Sequence, residues 1–218
     1  MKTLPIKIGK EIWLNPNYLI IRFMKSKKAY KIEQNQNVIF TIKKSKIETK
    51  DNSEIQIVAL DNLKRRGVEF NLPRLKERGI QFFHGDIRNK EDIDAIGKFD
   101  LMIECSAEPS VLAGIGGSPQ YMINTNLLGT INCLEAVRQN NAGLIFLSTS
   151  RVYPIQGIGN INLIESRTRL DIAENQIIEG VSQKGINEKF SLEGARSLYG
   201  ATKLCSEILI GDMYLIMT

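Results

Sequence analysis

Ser197-Leu-Tyr199-Gly-Ala-Thr-Lys203, taken with Leu147-Ser-Thr-Ser-Arg-Val-Tyr153 upstream, decides the fold of this chain. A tyrosine and a lysine four apart on a helix lie on one face, one turn from each other. The apolar run that ends in Ser148-Thr149-Ser150 reads as a buried strand with a hydroxyl-rich end. A strand end facing a helix is the geometry of a parallel α/β sheet, in which ligands bind at the carboxyl ends of the strands. The residue types supply the chemistry. A phenol ionises near pH 10 and is a poor base at neutral pH. A neighbouring ammonium favours the phenolate. A downward shift of about three units corresponds to roughly 4 kcal/mol, a plausible demand on Lys203 together with the positive charge of an oxidised nicotinamide. Thr149 would hydrogen-bond the substrate oxygen, Tyr199 would take its proton, and Lys203 would also hold the nicotinamide ribose.

The same alternation extends outward from this pair. Glu54–Leu60 reads as a buried strand closed by Asp61, and Asn71–Arg78 as a short helix before Gly79. Ile80–His84 is a second strand, Glu91–Ile96 a helical turn or two, and Asp100–Glu104 a third strand. Pro119–Asn140 is a long helix, apolar at Tyr121, Ile123, Leu127, Leu128, Ile131, Leu134 and Val137. Ala142–Leu147 is a fourth strand, Pro154–Ala195 a loop region with short elements, and Leu198–Ile210 a helix. Strands and helices alternating at this spacing predict a doubly wound, Rossmann-like parallel sheet.

Residues 1–54 break the pattern. They hold 12 of the 29 Lys and Arg but only 5 of the 24 Asp and Glu, and one of the 17 glycines, Gly9. The net charge of +5 therefore belongs to this Lys-rich segment, and the remainder is nearly neutral. Two domains are expected: an atypical segment over 1–54, with apolar stretches at Ile12–Phe23 and Val38–Ile42, and a partial dinucleotide-binding domain over 55–218. Nucleic-acid binding through the lysines is the weakest of the readings. A hydrophobic fraction of 43% and a charged fraction of 24% suit an ordinary soluble domain. No apolar run is long enough for a membrane helix, and the start lacks a signal peptide's apolar core, so a cytoplasmic protein is expected. The single histidine, His84, excludes a multi-histidine metal site, and no metal is expected. Cys105, Cys133 and Cys205 are odd in number and widely spaced, so they read as buried free thiols.

Each remaining candidate has two readings. Asp61, at a strand end, can accept both hydroxyls of an adenosine ribose, or it is a loop or capping aspartate. Asp86 can accept from an adenine amino group while Ile87 packs on the ring, or His84-Gly-Asp-Ile is an ordinary turn. Ser106 and Ala107 are small enough for a pyrophosphate and ribose to approach the backbone, or they serve tight packing. Asn126 hydrogen-bonds the backbone behind the site or the nicotinamide end, or it belongs to a polar helix start.

The stretches ALDNLKRRG (59–67), HGDIRN (84–89), IECSAEPSVLAG (103–114), NTNLLGTINCLEA (124–136), LSTSRVYPI (147–155) and GARSLYGATKLCSE (194–207) resemble the extended short-chain dehydrogenase/reductase superfamily, the NAD-dependent epimerases and dehydratases of nucleotide sugars. The resemblance covers roughly residues 55–210. It implies NAD as cofactor and a CDP-hexose as substrate, oxidised transiently at sugar carbon 2 and reduced again on its other face. Thr149, Tyr199 and Lys203 match the family's catalytic triad. Asp61, Asn62, Asp86, Ile87, Ser106, Ala107, Asn126, Tyr199 and Lys203 match its cofactor contacts. Lys64-Arg65-Arg66 lies beside the adenosine end or is a solvated loop. The helices over 119–139 and 198–210 match a common dimer interface, so a homo-oligomer is expected. The family opens with a strand and a GxxGxxG turn whose N–H groups cradle the pyrophosphate. No such pattern precedes Asp61, and the family continues past position 218. The expectation is a chain shortened at both ends. Three missing charge-assisted hydrogen bonds, at about 1.5–3 kcal/mol each, weaken NAD binding about a thousandfold or more. Either a weakened epimerase or a non-catalytic, oligomerising remnant results.

Overall fold

A computed structural model describes residues 57–217 of the chain. The segment 1–54, with its two apolar stretches, lies outside the described residues, as do residues 55 and 56 of the first expected strand. Four short strands carry the fold: β1 (Val58–Asp61), β2 (Gln81–His84), β3 (Leu101–Glu104) and β4 (Gly143–Phe146). They form two parallel pairs, β1 with β2 and β3 with β4. The expected sheet is thus present as two halves, with no ladder joining them among the described residues. The reason is topological. In a Rossmann sheet of order 3-2-1-4-5 the first strand lies between the second and the fourth, the places that β1 and β3 take here. Among the described residues no strand pairs with both β1 and β3.

Helices flank the strands on both faces. Neighbouring residues of a strand point to opposite sides, and β1 demonstrates it. Ala59 packs with Leu75 and Ile80, against α1 (Leu72–Glu77). Leu60 points the other way, to Ile87, to Ile93 of α2 (Lys90–Asp94) and to Cys133 and Ala136. Met102 of β3 packs on this second cluster too. A larger core lies under β4, whose Leu144 and Phe146 meet Leu134, Val137 and Ile210.

The expected long helix is continuous but not uniform. It runs as α3 (Gln120–Ile123), a π turn (Asn124–Leu128) and α4 (Gly129–Asn140), and Asn141 ends it in the left-handed region at φ 49°. A π turn adds a residue to one turn and so rotates the remainder of the helix about its axis. The buried stripe is Met122, Asn126, Thr130, Cys133, Leu134 and Val137, while Leu128 and Ile131 of the expected apolar face are exposed. Close packing explains the small residues. A Cβ at Gly129 would overlap the Ile87 side chain, so any larger residue there would require Ile87 to shift.

Two expectations are corrected in detail. Of the three cysteines only Cys133 is buried, and Cys105 and Cys205 are exposed, because they fall on a post-strand loop and on the outer side of a helix. The region after Pro154 holds α5 (Ile155–Gly159) and two small antiparallel hairpins, β5 (Leu163–Glu165) with β6 (Leu170–Ile172) and β7 (Val181–Ser182) with β8 (Gly185–Ile186). The final helix, α6, spans Leu198–Met217, beyond the expected end at Ile210. Among the described residues no helix is long and apolar enough to cross a membrane.

Candidate active site

β4 ends at Phe146, and the chain turns through Ser148 and Thr149 into a 3-10 turn, Ser150–Val152. Thr149 caps that turn, its Oγ1 accepting from the Arg151 N–H at 3.2 Å. Helix α6 seats directly on the turn. A Cβ at Gly200 would overlap the Arg151 carbonyl oxygen, so the residue after Tyr199 can only be glycine if this contact is kept. Arg196, just before α6, reinforces the junction by donating to the carbonyls of Val152, Leu192 and Gly194. The Ile155 N–H donates to the Ala195 carbonyl at 2.9 Å. Packing of α6 thus brings the Tyr199 segment against the Thr149 turn, fifty positions away in the chain.

Lys203 lies one turn further along α6 and is 2% exposed. Its Nζ is 4.0 Å from the centre of the Phe146 ring, a cation–π contact in a desolvated place. Phe146 and Glu104 are cross-strand partners in the β3–β4 ladder. Glu104 is buried, and its Oε1 accepts from the Thr130 hydroxyl at 2.7 Å. Its Oε2 is buried with no hydrogen-bond partner among the described residues. Burial pushes the Glu104 carboxyl up, opposed by the charge of Lys203 and the Thr130 hydroxyl. Burial pushes Lys203 down, opposed first by the charge of Glu104. One turn beyond, the buried Glu207 accepts from the Ser148 hydroxyl.

Asn126 sits in the π turn and is fully buried. Its Oδ1 accepts from the Glu108 N–H at 2.7 Å, and its Nδ2 donates to the Glu108 carbonyl at 3.1 Å and the Thr202 hydroxyl at 3.3 Å. Its own carbonyl accepts from Ser206 at 3.1 Å. One amide therefore ties the loop after β3, which carries half-buried Ser106 and Ala107, to helix α6.

The loops after β1 and β2 carry the residues expected at the adenosine end. Asp61 is exposed, and its Oδ1 accepts from the Leu63 N–H at 2.7 Å in a local turn. The Asn62 side chain donates to Asp86 Oδ2 at 2.8 Å. Arg88 grips the same carboxylate with Nε at 2.9 Å and Nη2 at 2.6 Å. The Arg88 guanidinium holds the Asp86 carboxyl well below the usual carboxylate range. Both oxygens expected to face an adenine are thus engaged within the protein. Ile87 is equally committed, packed against Gly129. Lys64 and Arg88 lie over the Tyr121 ring, at 2.9 and 5.0 Å from its centre.

Several residues that shape the site escaped sequence reading: Glu104, Thr130, Arg196, Gly200 and Glu207. A signal existed for Glu104, an acid closing the apolar strand Leu101-Met-Ile-Glu104 just as Asp61 closes the first strand. Thr130 and Gly200 carried none, since their importance lies in what packs against them.

The Rossmann-like halves, the Tyr/Lys helix and the capped strand end define a class of nucleotide-dependent α/β proteins, and sequence comparison narrows it. The profile of the NAD dependent epimerase/dehydratase family matches residues 48–213, and the chain belongs to that family. CDP-paratose 2-epimerase of Salmonella typhi is 38% identical over 105 residues, covering 45% of this chain and 31% of that protein. UDP-glucose 4-epimerase of Rickettsia bellii is 37% identical over 113 residues, covering 50% of this chain and 32% of that one. The chain thus spans about a third of the length of these curated relatives. Among solved structures, Pal of Bacillus thuringiensis superposes with a TM-score of 0.54 at 21% identity, over 73% of this chain and 44% of that one. DesIV, a dTDP-glucose 4,6-dehydratase of Streptomyces venezuelae solved with NAD and DAU, superposes with a TM-score of 0.51 at 24% identity, over 71% and 40%. These likenesses establish the Rossmann fold.

Proposed function

We propose that this chain carries the catalytic segment of an NAD-dependent nucleotide-sugar epimerase of the CDP-tyvelose epimerase (CDP-paratose 2-epimerase) type. The observation that supports this reading is the seating of Gly200 on the Arg151 carbonyl, which packs the start of α6 against the turn that Thr149 caps at a strand's carboxyl end. Thr149 orients the substrate hydroxyl. Tyr199 takes its proton and later returns it. Lys203, buried on the Phe146 ring, supplies positive charge beside the phenol without competing water. A bound NAD supplies the hydride acceptor and donor for the sugar carbon.

The residues present fit NAD at its two ends. Asp61 stands exposed at a strand end and would take the adenosine ribose, and Tyr199 and Lys203 would hold the nicotinamide ribose. In the middle, Ser106 and Ala107 leave the backbone accessible. An adenine contact through Asp86 would require Arg88 to turn away. The exposed apolar side chains Leu128 at the end of the π turn, Ile131 on α4 and Ile208 on α6 suit pairing with a second copy, which favours a homo-oligomer. The same patch supports a second reading, a chain that oligomerises without turning over substrate.

Calorimetric titration with NAD tests the first reading. Saturable heats for the wild-type chain that vanish in Asp61→Ala are expected. Absence of saturable binding up to the solubility of NAD would sink it. Where binding is found, CDP-paratose plus NAD should give the carbon-2 epimer by proton NMR, and Tyr199→Phe should abolish that product.

A further inference from the structure

Lys203 and Glu104 are both nearly sealed from solvent, at 2% exposure each. They reach each other through one cross-strand step: the Lys203 ammonium stands on the Phe146 ring, and Phe146 pairs with Glu104 in the ladder. Neighbouring strands lie about 4.8 Å apart, so Glu104 and Lys203 flank the same buried ring, with no direct ion-pair contact between them. Thr130 satisfies one carboxylate oxygen, and the other, Oε2, is buried and accepts no hydrogen bond from the described residues. A bare buried carboxylate oxygen is costly unless a charge faces it.

We propose that Glu104 is the internal counter-ion of Lys203, a positioning residue that keeps this lysine protonated in a place from which water is excluded. The other groups around Lys203 do not serve. Glu207, one turn along α6, is bonded to the Ser148 hydroxyl from the end of β4. Cys133 from α4 is buried, and loss of hydration and the charge of Glu104 push its thiol up, so it stays neutral; the exposed Cys105, in the loop after β3, has its thiol pushed up as well. Phe146 from β4 offers only its ring face. An isolated lysine this buried sheds its proton readily. The ammonium that the proposed chemistry asks of Lys203 therefore depends on a carboxylate that never touches the substrate. The pair itself does not require that chemistry; only its consequence for Tyr199 rests on the reading above.

The test tracks the lysine directly. The full chain is grown with lysine carrying a stable carbon isotope, and the ε-methylene resonances are recorded against pH, with Lys203→Met identifying the signal by its loss. In Glu104→Gln the Lys203 titration midpoint should fall by about one to three units, the range for removing an opposite charge at close quarters. Glu104→Asp should recover part of the shift, and Glu207→Gln should move the midpoint less than Glu104→Gln does. An unchanged or raised midpoint in Glu104→Gln overturns the proposal. If that variant does not fold, the wild-type chain with isotope-labelled glutamate decides. The Glu104 carboxyl resonance must step at the pH where Lys203 loses its proton, and a silent Glu104 overturns the pairing. A shifted midpoint in a chain that neither binds NAD nor turns over substrate leaves the ion pair standing and removes the enzymatic reading instead.

Discussion

The β3–β4 half and the β1–β2 half of this molecule hold their polar groups in opposite ways. Beside β3 and β4, the charged and polar side chains are buried: Glu104, Asn126, Thr130, Lys203, Ser206 and Glu207, most of them bonded to one another or to backbone. Beside β1 and β2, the polar groups are at the surface or partly so, and they close local turns or an ion pair: Asp61 on Leu63, Asn62 on Asp86, Arg88 on Asp86. The difference teaches where each kind of work can be done. Buried groups are held in place and have shifted proton affinities because water cannot compensate them. Surface groups are easily rearranged, because water competes for their hydrogen bonds and charges.

The largest blow to this contrast is Phe146→Ala. It removes a core ring of 2% exposure and the surface on which Lys203 rests. A cost of about 3–5 kcal/mol is expected in denaturant unfolding; a loss below about 1 kcal/mol would show that the buried half tolerates a cavity. Gly200→Ala should come next, at about 1–3 kcal/mol, because the new methyl must push α6 off the Arg151 carbonyl. If the contact positions Tyr199, epimer formation should fall further than stability does. Thr130→Val removes the hydroxyl that donates to Glu104 and should cost about 1–3 kcal/mol.

The exposed half should answer more weakly. Asp86→Asn should cost about 0.2–1 kcal/mol near neutral pH, the range of pairs open to solvent, although Arg88 grips with two nitrogens. The sign in pH is set by the direction of the shift. The folded carboxyl lies below its unfolded value of about 3.9, so its contribution is present above that value and is lost as pH falls below it. Acid titration of stability should therefore show the variant converging on the wild type below pH of about 4. The smallest effect belongs to Lys90→Ala, which breaks the i,i+4 pair with Asp94 on α2. About 0.3–0.5 kcal/mol is expected, reduced further by salt. An Asp86 or Lys90 effect as large as that of Phe146 would erase the contrast between the halves.

The strands were readable because each is a short apolar run closed by a polar residue, and period and composition carry that directly. Lys203, Tyr199 and Thr149 were readable because their types and spacing already imply one helix face opposite one strand end. The buried face of the long helix was not. The apolar pattern pointed Leu128 and Ile131 inward, yet both are exposed, while Asn126 and Thr130 are buried and hydrogen-bonded. Nothing in a hydrophobic period reveals a polar side chain whose partners come from elsewhere in the chain. Asp86 and Ile87 were legible as residues at a strand end, but their partners, Arg88, Asn62 and Gly129, are settled by three segments meeting.

Sequence alone determined the alternation of strands and helices, the family and the residue types that could do proton chemistry, because these depend on local period and on side-chain chemistry. Tertiary structure alone decided which of them are dry. Whether Lys203 meets water or a phenyl ring, and whether Glu104 faces solvent or the Thr130 hydroxyl, depends on the register of β3 against β4 and on α6 settling against the Arg151 carbonyl at Gly200. Burial is a property of what arrives from elsewhere in the chain, and burial is what turns ordinary side chains into reactive ones.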